Sequence, residues 1–360
     1  MRIKDTKDTQ SSVLSPQSSH KPLRWLVTGG CGFIGRNLVK NLVEEGGHLI
    51  RIVDNLSAST REDLSQVYTF SELDPSVLKT QSSENSTLLT ADSSLPTVEL
   101  IVADILDANL ALNVSQGMDV IVHLAANTGV APSVEDPRAD CINNVIGTLN
   151  YLEAARQKNI KKFVFASSGA PIGECDPPIH EELAPRPVSP YGASKLSGEG
   201  YCSAYYRTFG LKTVALRFGN VYGPLSNHKD SVIAKFIKHA IDGKSLEIYG
   251  DGTQTRDFIY IDDLISAIKL CVNAADVGGE IFQIATNRET TVNELIEELL
   301  LICSDAGLRN IEVRNSEPRQ GDVKRNFSDT SKAKKILHWQ SEVSLQEGLE
   351  RTVQWYLRRK

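Results

Sequence analysis

Tyr191 and Lys195 stand four residues apart in the run Pro190-Tyr191-Gly192-Ala193-Ser194-Lys195. On a helix that spacing puts both side chains on one face. A free phenol ionises near about pH 10 and is a poor base at neutral pH. A neighbouring ammonium favours the phenolate, so the pair could move a proton to or from a substrate hydroxyl. Taken alone, this spacing is common on solvated helix faces. A third hydroxyl is expected on the loop after a sheet strand, because open α/β sheets bind ligands at the carboxyl ends of their strands. Lys162 to Ala166 reads as such a strand and runs into Ser167-Ser168-Gly169. Ser168 is the expected partner, with Ser167 the alternative; both could instead satisfy the turn backbone.

A second motif lies upstream. Thr28-Gly29-Gly30-Cys31-Gly32-Phe33-Ile34-Gly35 carries glycines at 29, 32 and 35. Glycine at that spacing allows a tight strand-to-helix turn, lets the backbone approach a pyrophosphate at the positive helix end, and lets helix and strand pack closely. The triplet sits between a strand and a helix at the start of a β-α-β unit, the context that marks a dinucleotide site. Asp54 ends the second strand, where a carboxylate can bind the adenosine ribose hydroxyls and repel a 2′-phosphate, favouring NAD over NADP; otherwise it is a turn-forming residue. Strand alternation leaves Arg51 poorly placed for a phosphate. Asp104, after the third strand, could meet the adenine or cap a helix.

These residues need a frame. Arg24 to Thr28 is a short apolar run, and Phe33, Ile34, Leu38, Val39 and Leu42 recur at helical spacing after it. Gly46-Gly47 stops that helix, and Leu49 to Val53 forms the next strand. Further strands are expected at Val98 to Val102, Val120 to Leu124, Lys162 to Ala166 and Thr213 to Phe218, with helices at Asn144 to Gln157 and Tyr191 to Phe209. This alternation specifies an α/β fold with a doubly wound parallel sheet. From about Pro224 the pattern changes. Helical stretches (Ser231 to Asp242, Val292 to Ser304, Leu345 to Leu357) mix with short strands (Glu247 to Tyr249, Glu280 to Ala285), as in a smaller α+β lobe. The expected division is a polar, disordered tail at 1–22, a dinucleotide-binding domain at 23–223 with a flexible surface insertion at 61–96, and a substrate lobe over most of 224–360.

Composition narrows the class. Lys plus Arg total 39 against 45 Asp plus Glu over 360 residues, a net charge of −6. That balance gives no electrostatic reason to bind nucleic acid or anionic lipid. No apolar run approaches the roughly 20 residues that cross a bilayer. The polar start lacks the apolar region of a secretory signal and contains Asp5 and Asp8, which transit peptides avoid. Six scattered cysteines without a C-x-x-C pair read as reduced thiols, with no disulfide frame and no metal site. A cytoplasmic location is therefore expected.

Taken together, the motifs resemble the extended short-chain dehydrogenase/reductase family, in its nucleotide-sugar branch of the UDP-glucose 4-epimerase type. The resemblance covers nearly the whole chain from Leu23. It rests on the glycine cluster, Val53-Asp54-Asn55, His123-Leu124-Ala125-Ala126, Asn143 to Thr148, Ser167-Ser168, Tyr191 to Lys195, Leu216 to Pro224, Arg256 to Asp263 and Arg319 to Asp322. It implies a Rossmann-type fold holding NAD through Gly29, Gly32, Phe33, Ile34, Gly35, Asp54, Asn55, Asp104, Ile105, Ala125, Tyr191 and Lys195. It also implies that Tyr191 takes a proton from the sugar 4-hydroxyl while hydride leaves C4. The 4-keto sugar then rotates and is reduced on its other face, with no net redox. Ser168 would bond the same oxygen, and Lys195 would hold the nicotinamide ribose.

Asn220, Arg256 and Arg319 match positions that contact the nucleotide diphosphate in relatives. Two guanidinium groups suit a pyrophosphate; their other reading is ion pairing with Asp257 or Asp322. Dehydratases and decarboxylases of the family carry a carboxylate just after the catalytic hydroxyl, where this chain has Gly169 and Ala170. Relatives usually place Tyr where this chain has Ile172, and Asn326 occupies the position that gates bulk at sugar C2. The resemblance therefore implies a UDP-hexose 4-epimerase of the UDP-glucose/UDP-galactose type, with the small Asn326 leaving acceptance of an N-acetyl group open. A UDP-glucuronate 4-epimerase, another nucleotide-sugar epimerase or reductase, and a non-catalytic NAD-binding protein are the alternatives. Homodimerisation through Asn144 to Gln157 and Tyr191 to Phe209 is expected from the same resemblance.

Overall fold

A computed structural model describes residues 21–76, 97–318 and 323–359. The expected tail, apart from Lys21 and Pro22, lies outside the described residues, as do the Ser/Thr-rich stretch around 82–87 and Arg319. In chain order the strands are β1 Arg24–Thr28, β2 Leu49–Asp54, β3 Ser71–Glu72, β4 Thr97–Val102, β5 Val120–His123, β6 Lys162–Ser168, β7 Thr213–Phe218, β8 Asn220–Tyr222, β9 Leu246–Tyr249, β10 Thr255–Arg256, β11 Phe258–Tyr260, β12 Glu280–Ile284, β13 Thr290–Thr291 and β14 Val313–Ser316. Eight of them form one sheet in the order β12-β7-β6-β5-β1-β2-β4-β3, every neighbouring pair parallel.

The chain winds outward from β1 through β2 to β4, then crosses to β5 and winds the other way. Its switch point is therefore between β1 and β5, where a crevice opens at the carboxyl ends of the strands. Side-chain alternation builds a core on each face. Trp25, Val27, Ile50, Ile52 and Val122 pack with the helices Phe33–Glu45 and Ile261–Asn273. Leu26, Val53, Ile101 and Ile121 pack with Ala108–Val114, Gly147–Gln157 and Pro190–Phe209. Each fully buried Leu, Val or Ile on these faces stabilises the sheet by about 1.5–3 kcal/mol relative to exposure. Among the described residues no helix is long and apolar enough to cross a membrane.

Three readings of the sequence need correction. Residues 61–76 are not a structureless insertion. Arg61–Ser65 is a helix closed by a Thr60–Asp63 capping box, and β3 pairs with β4 at the sheet edge. Asp63 is buried against Arg36 at 3.1 Å, so this polar segment is held by one desolvated ion pair and its cap. Second, Glu280–Ile284 does not belong to the smaller lobe. It joins the main sheet beside β7 and buries Phe282 and Ile284. Third, the helix expected from Asn144 starts earlier, as Pro137–Cys141. It continues through a π-helical turn, Ile142–Ile146, into Gly147–Gln157.

The remaining strands pair in twos, β8 with β11, β9 with β14 and β10 with β13, beside the helices Val232–Ile241, Val292–Asp305, Ser331–Leu337 and Leu345–Leu357. Asp257 ties this region together. Its carboxylate accepts from Thr286 N and Oγ1, Asn287 N and Ser328 N.

Candidate active site

The turn after β1 is built for close approach. Gly29 sits at φ +69°, and a Cβ on it would lie 2.8 Å from Ala125 N, so the loops after β1 and β5 touch. Asp54 at the end of β2 accepts from Cys31 N and Leu56 N, both at 2.9 Å, and so holds the glycine turn. The helix Phe33–Glu45 starts at Gly32, which has no side chain to cap it, and its first turn contains no acidic residue. The amide groups there point their partial positive charge at the crevice. Asn55 donates to Asp104 at 3.1 Å across the ends of β2 and β4. Asp104 does not cap a helix: Asp107 caps Ala108–Val114, and Asp104 accepts from Leu106 N instead. Ile105 is buried beneath Gly147.

Tyr191 and Lys195 lie in the first turns of Pro190–Phe209. Ser189 caps that helix by accepting from Gly192 N at 3.1 Å, Pro190 sets its first turn, and Gly210 ends it in the left-handed region. The Lys195 ammonium is buried, bonds Ala166 O at 2.9 Å and lies 5.9 Å from the Tyr191 ring centre. Burial pulls its pKa down to about 8, against the opposing fields of Asp140 and Glu199. Burial pushes the Tyr191 phenol up, a hydrogen bond with Ser168 pulls it down, and the charge of Asp140 pushes it up.

The two serines at the end of β6 face opposite ways. Ser168 meets Tyr191, whereas Ser167 donates to Glu199 at 2.5 Å. Of the two candidates, Ser168 is the one the fold brings to the pair. His123 is fully buried between Thr28 and Thr148, and burial drops its pKa to about 3, so it stays neutral.

The profile of the NAD dependent epimerase/dehydratase family matches residues 25–285. The chain belongs to this family. It is 37% identical over 335 residues to a putative UDP-glucose 4-epimerase of Methanocaldococcus jannaschii, covering 92% of this chain and 97% of that one. The crystal structure of a UDP-glucose 4-epimerase with UDP-glucose from Thermotoga maritima superposes with a TM-score of 0.80 at 34% identity, over 94% of this chain and 99% of that one. A UDP-glucuronic acid 4-epimerase from Bacillus cereus, solved with UDP-glucuronic acid and NAD, gives 0.77 at 30% identity, over 94% and 100%.

The residues present fit NAD. The uncapped helix start suits its pyrophosphate. Asp54 ends β2 beside the glycine turn, where a carboxylate suits a ribose diol, and Arg51, the cation on β2, is committed to Glu99 at 2.8 Å and Val114 O at 3.0 Å. A Cβ at position 35 would overlap Gly29 O and Gly30 Cα, which are backbone atoms that cannot swing aside. Gly35→Ala is therefore expected to displace the turn and lower the NAD content of the purified protein at least several-fold, checked by releasing and quantifying the cofactor.

On the far side of the crevice, β8 lies beside β11, so Asn220 meets the strip Arg256–Phe258: Asn220 N donates to Asp257 O at 2.7 Å. Asn220 is exposed and Arg256 half-buried, with Arg256 Nη1 donating to Thr255 O and Val323 O, both at 2.7 Å. Asp257, offered as a partner for Arg256, spends its carboxylate on Thr286, Asn287 and Ser328. Asn326 N bonds Thr255 Oγ1 at 3.2 Å, so the segment after 322 runs beside β10. Ile172 is buried and offers the crevice no polar atom.

Sequence reasoning missed Asp140, Glu199 and Arg217, all buried around the pair. Asp140 and Asn144 sit four apart, a spacing that could have signalled one shared helix face. Glu199 and Arg217 lie on different elements, and nothing local couples them.

Proposed function

We propose that the chain is a UDP-sugar 4-epimerase of the UDP-glucose/UDP-galactose type. The observation that carries this reading is the cluster of Ser168, Tyr191 and Lys195 beside the dinucleotide cradle, with Gly169 and Ala170 where dehydration would want a carboxylate. Tyr191 takes the proton of the sugar 4-hydroxyl, and Ser168 hydrogen-bonds the same oxygen. Lys195, charged at neutral pH, favours the phenolate and orients the ring. Bound NAD supplies the acceptor and donor of the C4 hydride. The 4-keto sugar turns within the pocket, and Tyr191 returns its proton to the oxygen in the inverted configuration. Asn220, Arg256 and Arg319 are assigned to the nucleotide diphosphate. The protein is taken to act as a homodimer through the helices at 137–157 and 190–209, which expose Ile146, Tyr201, Tyr206 and Phe209.

Purified protein incubated with UDP-glucose, UDP-galactose, their N-acetylated forms and UDP-glucuronate tests the reading. Interconversion at C4 of a UDP-hexose, resolved by chromatography, is the expected result. Conversion of UDP-glucuronate alone would move the assignment to the uronate branch, and no conversion of any sugar would sink it.

A further inference from the structure

We infer that Asp140 is a positioning residue of the catalytic pair, a buried carboxylate that supplies the counter-charge for the Lys195 ammonium and biases the Tyr191 hydroxyl. Asp140 lies at the end of Pro137–Cys141, directly before the π-helical turn Ile142–Ile146. Such turns inside α-helices recur at functional sites, where the extra residue re-aims the side chains around it. Asp140 as a whole is 3% exposed. Oδ1 accepts from Asn144 Nδ2 at 2.9 Å, and Oδ2 is buried with no bond from any described residue.

A buried carboxylate with one oxygen unbonded is costly and needs a nearby positive charge to justify it. Asn144 ties it to the catalytic helix. Its Nδ2 also reaches Ser194 Oγ at 3.1 Å, and Ser194 Oγ donates to Tyr191 O at 3.0 Å. The field of Asp140 reaches both Lys195 and Tyr191.

The other carboxylate acting on Lys195 is already spent. Glu199 holds Arg217 through two bonds of 2.8 Å and accepts from Ser167. Lys195 itself bonds a neutral carbonyl, Ala166 O. Asp140 is thus a buried anion with one oxygen unbonded whose charge acts on a desolvated ammonium. The other charges around it do not compensate. Glu135, Asp136 and Arg138 are exposed on its own segment, and His123, facing Lys195 from β5, is held neutral by burial.

The sign of the effect follows. An anion stabilises an ammonium and destabilises a phenolate, so losing it lets both groups release their protons at lower pH. The inference rests on the role proposed for Tyr191 and Lys195. The test is the pH profile of kcat for wild type, Asp140→Asn and Asp140→Glu, each with its NAD content measured. Asp140→Asn is expected to move both limbs of the profile about one pH unit towards acid. It then loses most of its activity above pH 8 and keeps it near pH 6, and Asp140→Glu restores the wild-type limbs.

A fall in kcat that is equal at every pH, with unshifted limbs, would overturn the inference, because that is what mere loss of packing produces. If Asp140→Asn does not fold, Asp140→Ser, smaller and able to admit water, is read by the same criterion. Tyr191→Phe separates the two layers of argument. If it remains active, the assignment of Tyr191 fails. If it is inactive and the Asp140→Asn limbs do not move, only the inference about Asp140 fails.

Discussion

Tyr191→Phe is expected to reduce C4 epimerisation by about 10²–10⁴-fold, the usual worth of a positioned proton carrier, while the protein keeps its NAD and its fold. The change removes one oxygen and leaves the ring volume. The cradle proposed for NAD is made elsewhere, by the turn after β1, the uncapped start of Phe33–Glu45 and Asp54. The ring sits above the Lys195 ammonium, and that contact survives the substitution. Only the hydroxyl that meets Ser168 is lost. The measurement is turnover with the preferred UDP-hexose together with cofactor content and thermal unfolding. Activity within tenfold of wild type would show that another group carries the proton.

Glu199→Ala is expected to cost about 3–5 kcal/mol of stability, because breaking a buried pair strands a desolvated charge. Arg217 and Glu199 have side chains only 1% and 2% exposed, and they meet through two parallel bonds of 2.8 Å. Arg217 already has one unbonded nitrogen, Nη1, so the guanidinium has no spare partner to fall back on. Ser167 would lose its acceptor as well. Replacing both members by apolar residues of similar volume should recover most of the loss, since the desolvated charge goes with its partner. Denaturant unfolding of the single and double variants decides the matter. A single variant within 1 kcal/mol of wild type would show that the pair is not the clamp between Pro190–Phe209 and β7 that its burial implies.

Much of this architecture was legible in the sequence where the signal is local. β5 reads as a strand buried on both faces because Val120, Ile121 and Val122 are all apolar, and they are. Pro190–Phe209 announces its start with Ser189 and Pro190 and its end with Gly210, which fixes where Tyr191 and Lys195 emerge. The helix Leu345–Leu357 follows its apolar spacing. Failures occur where pairing is long-range. Nothing near Glu280–Ile284 says that its partner is β7 rather than a strand of the smaller lobe. The segment at 61–76 is polar, so hydrophobic periodicity misses it; its order depends on a cap and on Arg36, more than twenty residues away.

The site divides in the same way. The glycine turn and the Tyr–Lys pair are short motifs with fixed geometry. The choice between Ser167 and Ser168 depends on which face of β6 each side chain takes, and that becomes visible once Glu199 is seen to claim Ser167. Asp140 carries no motif of its own. Its importance lies in being buried with a free oxygen, which only the packed fold reveals.

The central claim is that C4 is inverted by removal and return of its own hydrogen, with Tyr191 handling only the hydroxyl proton. Incubating the protein with a UDP-hexose in D2O and reading the product by NMR tests it most directly. The account predicts the C4 epimer with protium still on C4, in wild type and lost together with turnover in Tyr191→Phe. Deuterium on C4 of the product, or inversion at a different carbon, would contradict it.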